Sequence, residues 1–240
     1  MTLAKKTEPK QERAQRTYHA ILDCVEAILL KNPDEKLTPR AVVQATGIPQ
    51  GTVYRYFADV AEMRDALFER YMTHFQRDVS AAFEAADLPD VAAAMETLFA
   101  MILGLNRGNP ALLGLSLDPT TQSRVRAVAH QRELIATAIA DALVRAGLIS
   151  GYDKGLLDEI YLCVLISASL TKEAFLWDPQ GDSFVIESGR ELLRRQAEHI
   201  MQKAASAGAV PAEARKRPAA RPSMRYSQLK NYRRASALKR

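Results

Sequence analysis

Apolar residues recur at three- and four-residue intervals through nearly the whole chain, and this spacing limits its possible folds more than any motif does. Tyr18, Ile21, Leu22, Val25, Ile28 and Leu29 line one face of a helix from about Gln11 to Leu30. Asn32-Pro33-Asp34 ends it. Thr38 stands as an N-cap before Pro39, and a short helix runs to about Ala45. Thr46-Gly47-Ile48-Pro49 breaks the chain again before a helix at Gln50–Tyr56. Asp59 can cap a longer helix that carries Met63, Leu67, Tyr71 and Phe75 on one side. Further helices are expected at about 90–105, 109–116, 120–146, 153–175 and 184–206, divided by Gly, Pro and Asn/Asp clusters. No alternating β-branched run between hairpin turns occurs, and no internal repeat is evident. The fold class is therefore all-α.

Composition narrows the setting. The 240 residues are 48% hydrophobic and 25% charged, ordinary for a soluble globular chain. Two cysteines, Cys24 and Cys163, cannot build a disulfide framework, and both sit at apolar positions where thiols are inert. The longest apolar stretch, Ile160 to Thr171, is too short to span a bilayer, and the first residues hold no apolar signal core. A cytoplasmic protein without membrane association is expected.

Charge is unevenly spread. Residues 1–57 carry a net +3, residues 58–203 a net −7 and residues 204–240 a net +9, which together give +5. A phosphate surface would attract both ends and repel the middle. From Ala204 the apolar period fades, and three prolines among ten basic residues predict a disordered tail at 208–240.

The stretch Leu37 to Phe57 reads LTPRAVVQATGIPQGTVYRYF. Two short helices around a glycine turn form the unit that lays a second helix in the DNA major groove. Leu37, Val42, Val43, Ile48 and Val53 would pack it against the first long helix, and Gly47 supplies the backbone freedom of the turn. Gln50, Gly51, Thr52 and Arg55 would face outward. Gln pairs with adenine, Arg with guanine, and the Thr methyl meets thymine. Gly51 would let the backbone approach DNA closely, and the Tyr54 and Tyr56 hydroxyls can reach phosphates, the alternative being that both rings are half-buried packing residues.

Residues 12–75 resemble the DNA-binding domain of TetR-type transcriptional regulators. The match runs through Leu37-Thr38, Val42, Gly47-Ile48 and Gly51-Thr52-Val53-Tyr54-Arg55-Tyr56-Phe57. The later helix count agrees with that family in architecture. The resemblance implies a helix-turn-helix head followed by a helical ligand-binding and dimerisation domain, and a homodimer on a palindromic operator. It implies phosphate contacts from Thr38 and Arg40, base reading by Gln50, Gly51, Thr52 and Arg55, and backbone clamps at Tyr54 and Tyr56. The chain departs from the family pattern at Pro49, where Ser is common, at Val60, where Lys is common, and at Val43 and Thr46, where Ala is common. The domains so assigned are a flexible arm at 1–11, the DNA-binding domain at 12–75 with its motif at 37–57, a regulatory and dimerisation domain at 76–207, and the tail at 208–240.

The helix around 153–175 is apolar nearly all round, so it needs cover on more than one side, which a second copy of the chain or the core of its own chain can supply. The resemblance implies a four-helix dimer interface from this helix and the last one, with Leu157, Ile160, Val164, Leu193 and Ile200 as candidates. It also implies a small-molecule effector pocket, with Met95, Phe99, Ile102, Leu113 and Val128 as apolar lining and Gln122, His130 and Tyr161 as polar groups. No hydrolase, Walker, zincin or dinucleotide signature occurs, and the four histidines lack metal-ligand spacing. No enzyme activity, cofactor or metal is expected. The expected function is a DNA-binding transcriptional regulator, a repressor released by a small molecule. The competing readings are an effector-independent DNA organiser that uses the tail, and an all-α small-molecule binder without a DNA role.

Overall fold

The computed structural model describes residues 11–31, 37–117 and 122–206. These form nine helices: α1 (Glu12–Lys31), α2 (Pro39–Thr46), α3 (Gln50–Tyr56), α4 (Val60–Ala85), α5 (Val91–Gly108), α6 (Pro110–Leu117), α7 (Gln122–Arg145), α8 (Lys154–Trp177) and α9 (Ser183–Ser206). No strand occurs among the described residues. The expected tail at 208–240 and, apart from Gln11, the expected arm at 1–11 fall outside the described residues.

Local chemistry sets the helix starts. Thr38 accepts a hydrogen bond from the Ala41 N–H at 3.2 Å, ahead of Pro39 at the first turn of α2. Asp59, Asp90 and Asp153 cap α4, α5 and α8 in the same way, at 2.7 to 2.8 Å. Each satisfies a backbone donor that the helix itself cannot, worth about 1 kcal/mol. Gly47, at φ +67°, ends α2 in the left-handed region and donates its N–H to the Val43 carbonyl at 2.9 Å. A side chain would be strained there, so the turn requires glycine.

Two apolar cores organise the helices. The first gathers Ile21, Leu22 and Val25 of α1, Val42 of α2, Val53 of α3, Phe57, and Met63 and Leu67 of α4. The second joins the far end of α4, at Val79 and Phe83, to α5, α7, α8 and α9 through Phe99, Ile139, Leu143, Ile160 and Leu193. Full burial of a side chain of this size contributes roughly 1.5–3 kcal/mol before entropy is counted. With 26 residues, α4 extends about 39 Å and reaches both cores. The sequence reading places α6 wholly in the body, yet its Ala111, Leu112 and Leu115 belong to the first core.

Polar contacts fasten this junction. Arg70 on α4 bridges Asp23 and Glu26 of α1, at 2.6 and 2.5 Å. Tyr71 beside it donates to Glu26 and accepts from Asn109 at the α5–α6 corner. In the second core α9 crosses α5 so closely at Gly189 that a Cβ there would stand 2.8 Å from Cζ of Phe99. The α8–α9 pair is tied by Glu159, which accepts from Lys203 Nζ at 2.8 Å and from Gln196 Nε2 at 2.9 Å.

Candidate functional site

The first candidate surface is the outer side of the α2–α3 unit. Val42 and Val53 are fully buried and fix the two helices on α1, leaving the opposite side to solvent. Arg40, Gln50, Gly51, Tyr54 and Arg55 are exposed there, and Thr38 and Thr52 are half-buried. The Thr38 hydroxyl is already engaged as the cap of α2. Pro49 precedes α3 and provides no side-chain cap, as its chemistry dictates. Thr46 holds the turn instead: its hydroxyl donates to the Val42 carbonyl at 2.7 Å and accepts from the Ile48 N–H at 3.1 Å.

Of the two readings open for Tyr56, phosphate contact or packing, its surroundings favour packing. The residue is 9% exposed, and its ring meets Tyr18 edge-on at a centroid distance of 6.3 Å, while the Arg55 guanidinium lies 5.2 Å above it. Three residues after Val53, it falls on the inward side of α3 and serves the core. Tyr54 is 39% exposed and is the tyrosine presented outward.

The second candidate site is a partly open cavity of about 470 Å³ lined by α4, α5, α6, α7 and α8. Among the residues expected to line a pocket, it brings together Ile102, Val128 and Tyr161. Met95 and Phe99 are buried in the core beneath α9 instead, because the broad apolar face of α5 serves two neighbours. The cavity wall on α6 is Leu112 and Ser116 rather than Leu113. His130 is exposed, and Gln122 opens α7 with its side chain outside the described residues. Small side chains make the space: Ala129 on α7 and Ala168 on α8 stand where larger ones would fill it.

Three basic residues of this wall were not anticipated: Arg124, Arg132 and Lys172. Arg124 is neutralised by Asp65 at 2.9 Å and also donates to the Leu115 carbonyl at 2.7 Å. Its guanidinium lies 4.8 Å above the Phe68 ring. Arg132 hydrogen-bonds to Tyr161, and burial pushes its guanidinium below the ordinary arginine range. A signal for it existed in the sequence. Arg132 sits four residues after Val128 and three before Ile135, a basic residue set in an apolar stripe.

The third candidate surface is the outer face of α8 and α9. The expected interface residues Ile160, Val164, Leu193 and Ile200 are at most 2% exposed and pack inside one chain, and Leu157 is half-buried. A helix apolar nearly all round does not reveal which side its own chain will cover. The exposed apolar groups on these helices are Leu162, Leu192, Met201 and Phe184, the last 79% exposed. Cys163 is fully buried, and burial pushes its thiol up to about 12, while Cys24 is half-buried and also raised. No cluster of potential metal ligands occurs among the described residues, and none of their helices is long and apolar enough to cross a membrane.

No protein-family model and no curated protein matches the sequence. Solved structures do match the fold. A TetR-family transcriptional regulator from Streptomyces coelicolor is 26% identical, with a TM-score of 0.60 over 76% of this chain and 98% of that one. The transcriptional regulator FadR from Bacillus subtilis, solved with stearoyl-CoA, is 14% identical, with a TM-score of 0.56 over 75% and 97% of the two chains. A TetR regulator from a Rhodococcus species is 16% identical, with a TM-score of 0.52 over 78% and 96%.

Proposed function

We propose that this chain, which has the fold of the TetR-family transcriptional regulators rather than of an enzyme, binds double-stranded DNA as a homodimer and is released by a small-molecule effector. The observation that carries the reading is the outward face of α3. Gln50, Gly51, Tyr54 and Arg55 are exposed on a helix whose other side is fixed in the core. In the major groove, Arg55 and Gln50 supply base contacts, Thr52 a methyl contact, and Arg40 and Tyr54 phosphate contacts. The exposed Leu162, Leu192 and Phe184 favour pairing of α8 and α9 with a second copy. Such a pair sets two α3 helices on a palindrome about one helical turn apart.

The route from effector to DNA follows from shared walls. Leu112 and Ser116 of α6 and Phe68 of α4 line the cavity, while Leu112, Leu115 and Phe68 also belong to the head core. A ligand that repositions α6 therefore repositions the base of the head, and it favours whichever head spacing it binds better. The role is that of a repressor, and the effector lowers operator affinity. The basic residues of 208–240 add sequence-independent phosphate attraction, so their deletion flattens the salt dependence of binding.

Selection of bound duplexes from random DNA tests the central claim. Enrichment of one palindrome is expected, and its loss in Arg55→Ala. Absence of any enriched sequence would refute the reading.

A further inference from the structure

The cavity between α4 and α8 has an apolar body with two basic positions on its wall that lack acidic partners. Tyr161, Val164, Ala168 and Lys172 follow one another along a single stripe of α8. From Tyr161 to Lys172 the stripe measures about 16 Å at the helical rise. Met72, Ile102 and Val128 supply apolar wall between the ends. The volume of about 470 Å³ lies within the range of small-molecule sites, roughly 300–1,000 Å³.

The charges within it are not equivalent. Arg124 is matched by Asp65 and bonded to the Leu115 carbonyl, so it is committed to the protein. Arg132 has Tyr161 as its partner, and no carboxylate among the described residues pairs with it. Lys172 has no ionic partner among the described residues. On the same wall, the Oε1 of Gln131 is buried without a hydrogen-bond partner, although its Nε2 reaches Thr73 at 3.5 Å. A half-buried guanidinium facing an apolar space without a counter-ion is costly, and an anion brought by a ligand relieves that cost.

We infer that the cavity binds an organic anion with an apolar body, its carboxylate or related oxyanion seated on Arg132 beside Tyr161 and its body running toward Lys172. Arginine suits this seat because its planar fork meets both oxygens of a carboxylate. The Tyr161 phenol sets the rim of the seat. A cation of the same shape is rejected by Arg132 and Lys172, and a neutral alcohol loses the charge-assisted contact. The inference rests on the effector reading above and specifies its chemistry.

Calorimetric titration of the full-length protein with dodecanoate, naphthoate, dodecanol and dodecyltrimethylammonium tests it. At least one of the two carboxylates is expected to bind, with the alcohol weaker by roughly ten- to a hundredfold and the ammonium weaker still. Arg132→Gln should weaken the carboxylate by a similar factor and leave the alcohol unchanged. Tyr161→Phe, which keeps the ring, should give a smaller loss and provides a second reading of the seat should Arg132→Gln fold poorly. Equal binding of alcohol and carboxylate, no binding of either carboxylate, or unchanged carboxylate affinity in these variants overturns the inference. The selected DNA site separates the two claims. Carboxylate binding without a change in DNA affinity upholds the seat and refutes its effector role. Intact DNA binding with no carboxylate bound refutes the seat alone.

Discussion

Replacing Gly51 with alanine separates folding from DNA recognition more cleanly than any other change in the head. Gly51 lies in the first turn of α3, is exposed, and a Cβ built on it meets nothing within 4 Å. Nothing in the chain thus requires glycine there. Alanine restricts the unfolded chain and favours the helix, worth about 0.4–1 kcal/mol. For a protein of this size that corresponds to a melting point higher by about 1–4 °C. At a close DNA contact the sign reverses, because the added methyl must displace phosphate or sugar atoms. Steric insertion into a filled contact costs about 1–3 kcal/mol, and a dimer incurs it twice. DNA affinity should fall by at least about 2 kcal/mol, roughly thirtyfold. Fluorescence anisotropy on the selected duplex, beside a thermal melt, reads both quantities. A raised melting point with unchanged affinity would refute the close approach of α3 to DNA. A lowered melting point would refute the open surroundings described for Gly51.

The remaining expectations concern the body. Combining Leu162→Asp with Phe184→Asp should give a folded monomer in light scattering, since both side chains are exposed within one chain; a persisting dimer would move the interface elsewhere. Gly189→Ala should cost about 1–3 kcal/mol in a thermal melt, because its Cβ would stand 2.8 Å from Cζ of Phe99. Adding Phe99→Leu should recover part of that loss, and strictly additive effects would count against the contact. The Glu159 carboxyl is held below its ordinary range, first by the hydrogen bond from Lys203. Its contribution to stability is therefore complete above the ordinary carboxylate range, near 4.3, and is lost as pH falls through the depressed value. Glu159→Gln should flatten the acid limb of the melting-point profile, and an unchanged limb would place that dependence on other groups.

The helix boundaries were legible to within one to three residues because the breakers are chemically blunt. Gly47, Pro49, Asp59, Asp90 and Asp153 each do locally what their chemistry dictates. The outward face of α3 was legible for the same reason, since Val53 fixes which side is in. For Tyr56 the sequence leaves two readings open, because an aromatic with a hydroxyl suits both a core edge and a surface, and its burial decides for packing. The body was harder to read. A cavity is a lack of side-chain atoms, encoded by Ala129 and Ala168 on two different helices, and no local pattern reports it. On α8 the apolar residues go nearly all round, so periodicity could not separate the inward Ile160 and Val164 from the outward Leu162.

The position of α6 also bears on how this protein can be taken apart. Ala111, Leu112 and Leu115, at most 3% exposed, close the base of a core whose other members end at Tyr71. A fragment cut after residue 75 would leave that base open to water, a wound of leucine-sized area in a unit already small for independent stability. Heating the whole chain should therefore melt the head and body in one cooperative step. A head moved onto an unrelated body would need to bring its own replacement for α6, so modular exchange of such heads is bounded by three side chains that are nearly forty residues away in the chain.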